Sequence, residues 1–530
     1  MYSKKILNIF KKYYLEEKIN NSNINEVREF FDMLEKKKYT IDEQCFYDLD
    51  MENVFHKVDR TSSSVGEAVL YKIMREPIMN EEALKKRSKV IDKIVEDKDL
   101  RAKLQCIFYE LGFDKKNRFL EMMKKEFKSN KLKRDLYTLF GIVNFILIIL
   151  TFATFNKYIA FSVLILFIIA PSIEAKERKN VSTNGLVYLS AMLNAAIKIV
   201  ALDKKENLGC KRIKELLNSL RDIRKNTFLI SLSSMYGGIL EPFLLPFLIV
   251  EGSYYRVIDK LREQKDELLE LYYELGKIEA YISVGIYKEV VKENISEPIF
   301  INETKLNIVD GIHPLLKNPV ENSIIIDKKG IVLTGTNMSG KSTFLRMVGI
   351  NAIFAQIFNF TLSSRYEASF FNVVTSISPN DDVNNGKSYY LAEVEAIHRI
   401  INSLEGFVRS LCIIDEIFRG TNPIERISSS TAILNYINKR DAITFVATHD
   451  KELTDLLKNK YDFYYFSENV DNKEGLSFDY KLKSGVVKSR NAIRLLDYMG
   501  YPKEIVNEAM SLTSIIEKWG KYIERLFIYY

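Results

Sequence analysis

Apolar positions in the first 295 residues recur at helical spacing, in long runs of Leu, Ile, Lys and Glu with few breakers; the whole chain of 530 residues carries only 10 Pro and 22 Gly. That pattern predicts a mostly helical front half. Its most regular stretch, residues 254–287, has the spacing of a coiled-coil-like helix. Around residues 298–307 the pattern changes. Short, wholly apolar runs follow at 331–333, 411–414 and 442–447, each fit for one buried strand. Strands alternating with amphipathic helices predict an α/β layer structure. The expected division is residues 1–300, helical, and residues 301–530, α/β with a helical tail, in a length that allows two to four domains. The chain shows no tandem repeat and no low-complexity linker.

Two runs inside the helical half stand out. Residues 136–155 are twenty in a row without a charge, and after Asn156 and Lys157 residues 158–173 are sixteen more. The first run can cross a hydrocarbon core of about 30 Å, and the second falls just short of the usual range of roughly 17–25 residues. Lys131, Lys133 and Arg134 precede the pair, and Lys176, Arg178 and Lys179 follow it. The positive-inside rule then puts both outer ends in the cytoplasm and the turn on the far side. A transmembrane hairpin is expected; a dry helix pair within the front-half core is the other reading of the pattern. A third apolar stretch, 228–250, contains Gly237, Gly238, Glu241, Pro242 and Pro246. A third full crossing would strand the C-terminal half outside the cytoplasm. This stretch is therefore expected to be a re-entrant or broken hairpin at membrane depth, or a buried helix pair.

Charge and cysteine content change the picture little. The 77 basic and 70 acidic residues leave a net charge of +7, which fits anionic lipid or nucleic acid and demands neither. The Lys36, Lys37, Lys38 and Lys124, Lys125 runs read first as solvated helix faces and second as contacts to phosphate backbones. Four scattered cysteines without a C-x-x-C pair point to a reducing compartment and away from structural zinc. The first 18 residues are charged and amphipathic, unlike a cleavable signal.

The chemistry gathers where the apolar runs end. After 331–333 comes Gly335-Thr336-Asn337-Met338-Ser339-Gly340-Lys341-Ser342-Thr343, the G-x-x-x-x-G-K-S pattern between a strand and a helix. The two glycines let the backbone curl so that N–H groups point inward, and the helix that follows presents its positive end to the same spot, so the loop is expected to bind phosphate. Lys341 is expected at the β- and γ-phosphates, and the Ser342 hydroxyl on Mg²⁺. The run 411–414 delivers Asp415, expected to hold Mg²⁺ through water, and Glu416, expected to orient the attacking water. The run 442–447 delivers Thr448-His449-Asp450. His449, one of four histidines, stands where a γ-phosphate sensor would be useful.

In these residues the chain resembles the MutS family of DNA mismatch-recognition ATPases. The family's loop T-G-x-N-M-x-G-K-S-T is matched from Thr334 to Thr343, with Asn337 and Met338 as the discriminating letters. Gly311-Ile312-His313-Pro314-Leu315 resembles its H-P element near the nucleotide, and Ala355-Gln356-Ile357 its glutamine loop. Asp381-Asp382, followed by Gly386 to Glu393, resembles the D-D…G-x-S-x-F-x-x-E signature, whose serine, here Ser388, acts in the family across a dimer on the other subunit's γ-phosphate. Asp415 to Thr421 resembles D-E-x-G-R-G-T, with Phe418 in place of a glycine. Residues 485–509 resemble the closing helical region that helps dimerise the ATPase domains. The L-S-G-G-Q signature of ABC transporters is missing. Farther forward, Asp48-Leu49-Asp50, Asp59-Arg60-Thr61, Gly66, Leu70 and Pro77 follow the spacing of the family's core and lever region, and 254–287 reads as the long helix returning from the clamp.

The resemblance implies an α/β P-loop ATPase domain of the ABC/MutS-like class, preceded by a mostly α-helical core and lever-clamp region. It implies ATP and Mg²⁺ as cofactors, with Lys341, Glu416 and His449 catalytic. Residues Gly335, Thr336, Asn337, Met338, Ser339, Gly340, Lys341, Ser342 and Thr343, with His313, Gln356 and Ser388, would contact the nucleotide, and Ser342 and Asp415 the metal. It implies a homodimer with composite sites that switches a clamp on duplex or branched DNA, in repair or recombination. Mismatch-reading members carry an N-terminal domain with an F-x-E wedge. Here the core-like segment is expected to leave no room for one, and Phe108-Tyr109-Glu110 falls inside a helical run. With the hairpin at 136–173, the expected protein is an ATPase held at the inner face of the cell membrane. The alternative is a membrane-associated ATPase switch that grips a protein or lipid partner without DNA; a steep salt dependence of duplex binding separates the two.

Overall fold

A computed structural model describes residues 4–18, 22–125, 130–177, 184–206, 209–234, 240–327, 330–336, 339–378, 389–418, 421–471, 475–486, 492–513 and 515. The chain divides into two compact units. One comprises residues 1–37, 55–74 and 86–290; the other comprises 38–54, 75–85 and 291–530.

The described residues of the first unit form helices and no strands. Phe108 is fully buried within the helix Lys98–Leu111, so its ring is core packing and is not presented as a wedge. The regular stretch 254–287 is divided between two helices, Ile249–Glu263 and Lys265–Val290. The break falls at Gln264, which leaves helical backbone geometry and donates its amide to the Ser219 carbonyl at 2.9 Å.

The long charge-free runs form a helical hairpin, Lys131–Thr154 and Lys157–Glu177, turning at Phe155, whose φ is 50°. Both helices are long and apolar enough to cross a membrane, and only 6% of the apolar window of each is buried. A third helix of suitable length and composition, 185–203, is 56% buried, because it packs against Lys98–Leu111, Arg118–Lys124 and Arg221–Ser234. The base of the hairpin is tied down by polar contacts. Glu177 accepts from Lys133 Nζ at 2.6 Å, Tyr137 Oη at 3.0 Å and Tyr255 Oη at 2.8 Å. Arg134 pairs with Asp259 at 2.8 Å.

The second unit is mixed α/β. Its strands are β1 Ile299–Phe300, β2 Lys305–Gly311, β3 Asn322–Asp327, β4 Gly330–Thr334, β5 Arg365–Ala368, β6 Phe371–Ser376, β7 Arg409–Asp415, β8 Ala442–Ala447, β9 Tyr461–Tyr465, β10 Glu468–Asp471, β11 Gly475–Phe478 and β12 Lys483–Ser484. A six-stranded sheet has the order β12-β9-β4-β8-β7-β6, all parallel except the edge strand β12. Strands buried on both faces read as unbroken apolar runs, and β4 and β8 are buried at every position. A four-stranded sheet, β1-β5-β2-β3, and the hairpin β10-β11 complete the strands. Helices Tyr389–Ser403 and Pro423–Asn438 supply Ile397, Ile400, Leu434 and Ile437 to one core cluster with Cys412, Ile414 and Val446 of the sheet.

The core of the first unit also contains a buried carboxyl. Glu279, on Lys265–Val290, accepts from the Ser62 N–H at 2.6 Å and from the Ser63 hydroxyl. Gly66 leaves room for it, since a Cβ there would stand 2.0 Å from Glu279 Oε2. Burial pushes the Glu279 carboxyl up to about 8, against those two hydrogen bonds, which favour the ionised form. The stability this gives is complete below the ordinary carboxyl value of 4.5 and is lost as pH rises through about 8. Urea unfolding of the first unit is expected to show stability falling between these limits, by at most about 1.4 kcal/mol per pH unit. Glu279→Gln is expected to flatten that slope; an unchanged slope would show that this carboxyl does not titrate with folding.

Candidate functional site

Because β4, β8 and β7 are parallel neighbours, their carboxyl ends lie on one edge of the sheet, where open α/β sheets bind ligands. The register aligns Leu333 with Ala447 and Ala447 with Asp415. The chain leaves the sheet just beyond, as the glycine loop after β4, as Glu416 after β7, and as Thr448-His449 after β8. Backbone bonds hold the three exits together: the Glu416 N–H donates to the Ala447 carbonyl at 2.9 Å, and the Thr448 N–H to the Leu333 carbonyl at 2.9 Å.

The glycine loop needs its glycines. Gly335 and Gly340 have φ of 145° and 110°, and a Cβ on Gly335 would lie 2.9 Å from the Phe466 carbonyl oxygen. The helix Lys341–Phe358 follows and is buried along most of its length. Lys341 is buried with it, and its Nζ donates to the Gly335 and Thr336 carbonyls at 2.8 Å each. Ser342 Oγ bonds to the Asp415 carboxylate. Ser339 Oγ is buried without a hydrogen-bond partner. On the neighbouring strand ends, His449 Nε2 lies 3.1 Å from Glu416 Oε1. Arg426 forks onto Asp450, next in sequence to His449, at 2.9 and 2.5 Å.

These groups border one cavity of about 960 Å³, whose wall includes Thr336, Gly340, Lys341, Ser342, Thr343, Asp415, Glu416, His449 and His313. His313 is buried, and desolvation, with Arg346 nearby, holds its imidazole down at about 4, so it is neutral near pH 7. Its Nδ1 accepts from the Leu315 N–H at 3.3 Å. Gln356 is placed differently. It is buried away from that wall, with its amide exchanging bonds with the Phe371 backbone at 3.0 and 2.6 Å. Asn337, Met338 and Ser388 lie outside the described residues, as do Asp381, Asp382, Arg419 and Gly420.

Phe418, which takes the place of a glycine in the resembling motif, adopts a left-handed backbone with φ of 59°. A glycine reaches this conformation without a Cβ penalty, whereas a phenylalanine does so only when its surroundings hold it. Here the ring is buried in the core cluster and lies 5.7 Å from Tyr390. The glycine-like bend is kept and the side chain is anchored.

Parts of the cavity wall have no motif. Asn318, Val320 and Asn322 come from the segment before β3 and its first residue, and Phe466 and Tyr480 from the chain beyond β9. Asn322 stitches the two together, donating to the Tyr480 carbonyl at 3.0 Å and accepting from the Leu482 N–H at 2.8 Å. Another contributor is Asp48, far away in sequence. It is fully buried and accepts from Thr375 Oγ1 at 2.7 Å and from the Ile377 and Ser378 N–H groups at 2.9 Å each. Ile377 and Ser378 themselves line the cavity.

A helical front region followed by a mixed α/β region, with a glycine loop and an acid pair at adjacent strand ends, is consistent with a MutS-like architecture. Residues 331–517 match the family model of MutS domain V, so this part of the chain is similar to that domain. The chain is 32% identical over 271 residues to the DNA mismatch repair protein MutS of Thermotoga maritima, a match that covers 48% of this chain and 33% of the relative. The protein of the same description from Thermus thermophilus is 28% identical over 260 residues, covering 48% of this chain and 31% of its own length. The chain thus spans about a third of the length of the curated relatives it matches.

Asp48→Ala would leave two buried donors, Thr375 Oγ1 and the Ile377 N–H, and the half-buried Ser378 N–H without their acceptor. At about 1–3 kcal/mol for each unsatisfied group, the second unit is expected to lose roughly 3 kcal/mol or more in chemical denaturation. A loss within about 0.5 kcal/mol, the range of an ordinary surface substitution, would show that Asp48 does not organise this wall.

Proposed function

We propose that the second unit is a P-loop ATPase that binds and hydrolyses ATP with Mg²⁺ at the edge formed by β4, β8 and β7. The observation that carries this reading is the convergence of Lys341, the Ser342–Asp415 pair and the Glu416–His449 pair on one cavity. The residues fit the ligand. Gly335 and Gly340 hold positive-φ backbone conformations suited to a glycine loop, the buried Lys341 ammonium supplies positive charge, and Ser339 Oγ offers a further hydrogen bond. Ser342 and Asp415 would hold Mg²⁺, which takes oxygen ligands and keeps several waters.

Each side chain then has one task. Lys341 binds phosphate charge in the ground state and as charge shifts during transfer. Held by Ser342 and Asp415, Mg²⁺ would add further neutralisation of that charge. Glu416, with His449 beside it, orients water for in-line attack. His313, kept neutral, lies in the wall as a hydrogen-bonding ring that adds no charge. Asn337 and Met338 belong to the same loop. Ser388 completes the site of a second copy in a homodimer, so that ATP closes the pair and hydrolysis releases it.

In this reading the first unit is the lever that the ATPase moves, and duplex or branched DNA is the object clamped, in DNA repair or recombination. The hairpin 136–173 favours an added membrane role, because its long apolar helices leave their surface uncovered. It tethers the ATPase to the inner face of the cell membrane, with the second unit in the cytoplasm. The same uncovered hairpin supports a second reading, a membrane switch whose arms grip a protein or lipid partner instead of DNA; binding to duplex DNA that weakens steeply with salt decides for the first.

Lys341→Ala and Glu416→Ala test the site. Lys341→Ala is expected to abolish hydrolysis and to weaken ATP binding roughly tenfold or more, the value of a charge-assisted bond. Glu416→Ala is expected to bind ATP normally while hydrolysing it roughly 100-fold more slowly. Wild-type hydrolysis by Glu416→Ala would overturn the assignment.

A further inference from the structure

Residues 228–250 are mostly apolar, with Glu241 their one charge, yet the chain breaks in this stretch. The helix Arg221–Ser234 rises and the helix Ile249–Glu263 returns beside it; between them the described chain forms one short helix, Glu241–Leu244, a 3₁₀ turn, Leu245–Phe247, and a left-handed residue, Leu248. The returning helix runs antiparallel to the first hairpin helix. Arg134 pairs with Asp259 at the base, Arg256 donates to Thr138 Oγ1 at 3.0 Å a turn higher, and Phe247 packs where a Cβ on Gly141 would stand 2.4 Å from its carbonyl oxygen. At the top, buried Asn144 donates its amide to the Pro246 carbonyl at 2.7 Å. That bond matters because the helix breaks there, and a carbonyl freed at membrane depth has no water to pair with.

The heights follow from the helix rise. From Arg134 to Asn144 is about 15 Å at 1.5 Å per residue, half of a hydrocarbon core of about 30 Å. The hairpin continues about as far again to its turn. The nine residues from Pro242 to Val250 carry no charge. Glu241 and Glu251 flank this uncharged stretch, and Glu177 marks the base of the hairpin through Lys133.

We propose that residues 242–250 form a re-entrant wedge in the membrane leaflet on the ATPase side, seated among acyl chains, ending near the midplane and pinned there by Asn144, with Glu241 at its entry. The wedge rests on the membrane reading of the hairpin and adds to it a lipid contact confined to one leaflet. Pro242 and Phe243 are exposed, Phe243 to 70%, and the proposal places Phe243 against lipid.

The test is labelling with a membrane-impermeant maleimide in sealed vesicles of both orientations. The native cysteines Cys45, Cys106, Cys210 and Cys412 are all buried. Asn156→Cys, at the hairpin turn, is expected to react from one side, and Glu263→Cys, at the base, from the other. Phe243→Cys is expected to react from neither side until detergent is added, and adding Asn144→Ala is expected to raise its reactivity from the Glu263 side several-fold. Labelling of Phe243→Cys from the Glu263 side without that second change would make the segment a surface helix pair. Labelling from the Asn156 side would make it a full crossing. Silence in detergent would place Phe243 inside protein, and no effect of Asn144→Ala would remove the pin. Each of these overturns the wedge while leaving the hairpin standing. Labelling of Asn156→Cys and Glu263→Cys from the same side would instead overturn the membrane reading beneath it.

Discussion

The side-by-side register of β4, β8 and β7 is the constraint on which the candidate site depends. Leu333, Ala447 and Asp415 stand abreast, so a glycine loop, a histidine and an acid pair leave the sheet within hydrogen-bonding reach of one another. A one-residue slip of β7 would turn Asp415 to the other face of the sheet and separate it from Ser342. Burial of these strands on both faces therefore fixes more than stability. It sets the distance between the glycine loop and the acids at the end of β7.

That edge is braced from parts of the chain far away in sequence. Asp48 accepts the N–H groups of Ile377 and Ser378 just past β6, and Arg346, on the helix that follows the glycine loop, donates to the Asp48 carbonyl at 2.8 Å. One short segment thus touches both the exit of β6 and the glycine-loop helix. Segments 38–54 and 75–85 belong to the same compact unit as residues 291–530, and so part of the cavity wall is set by residues that precede the hairpin.

What could be read in the sequence was local. The apolar runs gave strands, and the residues next after each run gave Lys341, Ser342, Asp415, Glu416 and His449, all of which meet at one cavity. The hairpin was plain because twenty uncharged residues in a row override other signals. What depended on folding could not be seen. Asn322 and Tyr480 meet across 158 positions, and nothing nearby in either segment marks the pairing. Gln356 carried a motif resemblance, but its amide is spent on the Phe371 backbone. The break at Gln264 interrupts a helical pattern whose periodicity continues across it, and there the Gln264 side chain bonds to Ser219, far off in sequence. Phe418 shows the converse: a departure from the motif keeps the glycine-like backbone because the ring finds a core to fill.

The central claim is that this edge of the sheet holds ATP together with Mg²⁺. Thermal unfolding of the full chain, followed as ATP is titrated with and without Mg²⁺, tests it most directly, because a ligand bound only by the folded state raises the midpoint in proportion to its affinity. The account predicts a saturable rise with ATP that becomes larger when Mg²⁺ is added and reverts to the metal-free curve in Ser342→Ala. A midpoint indifferent to ATP in both titrations would contradict it.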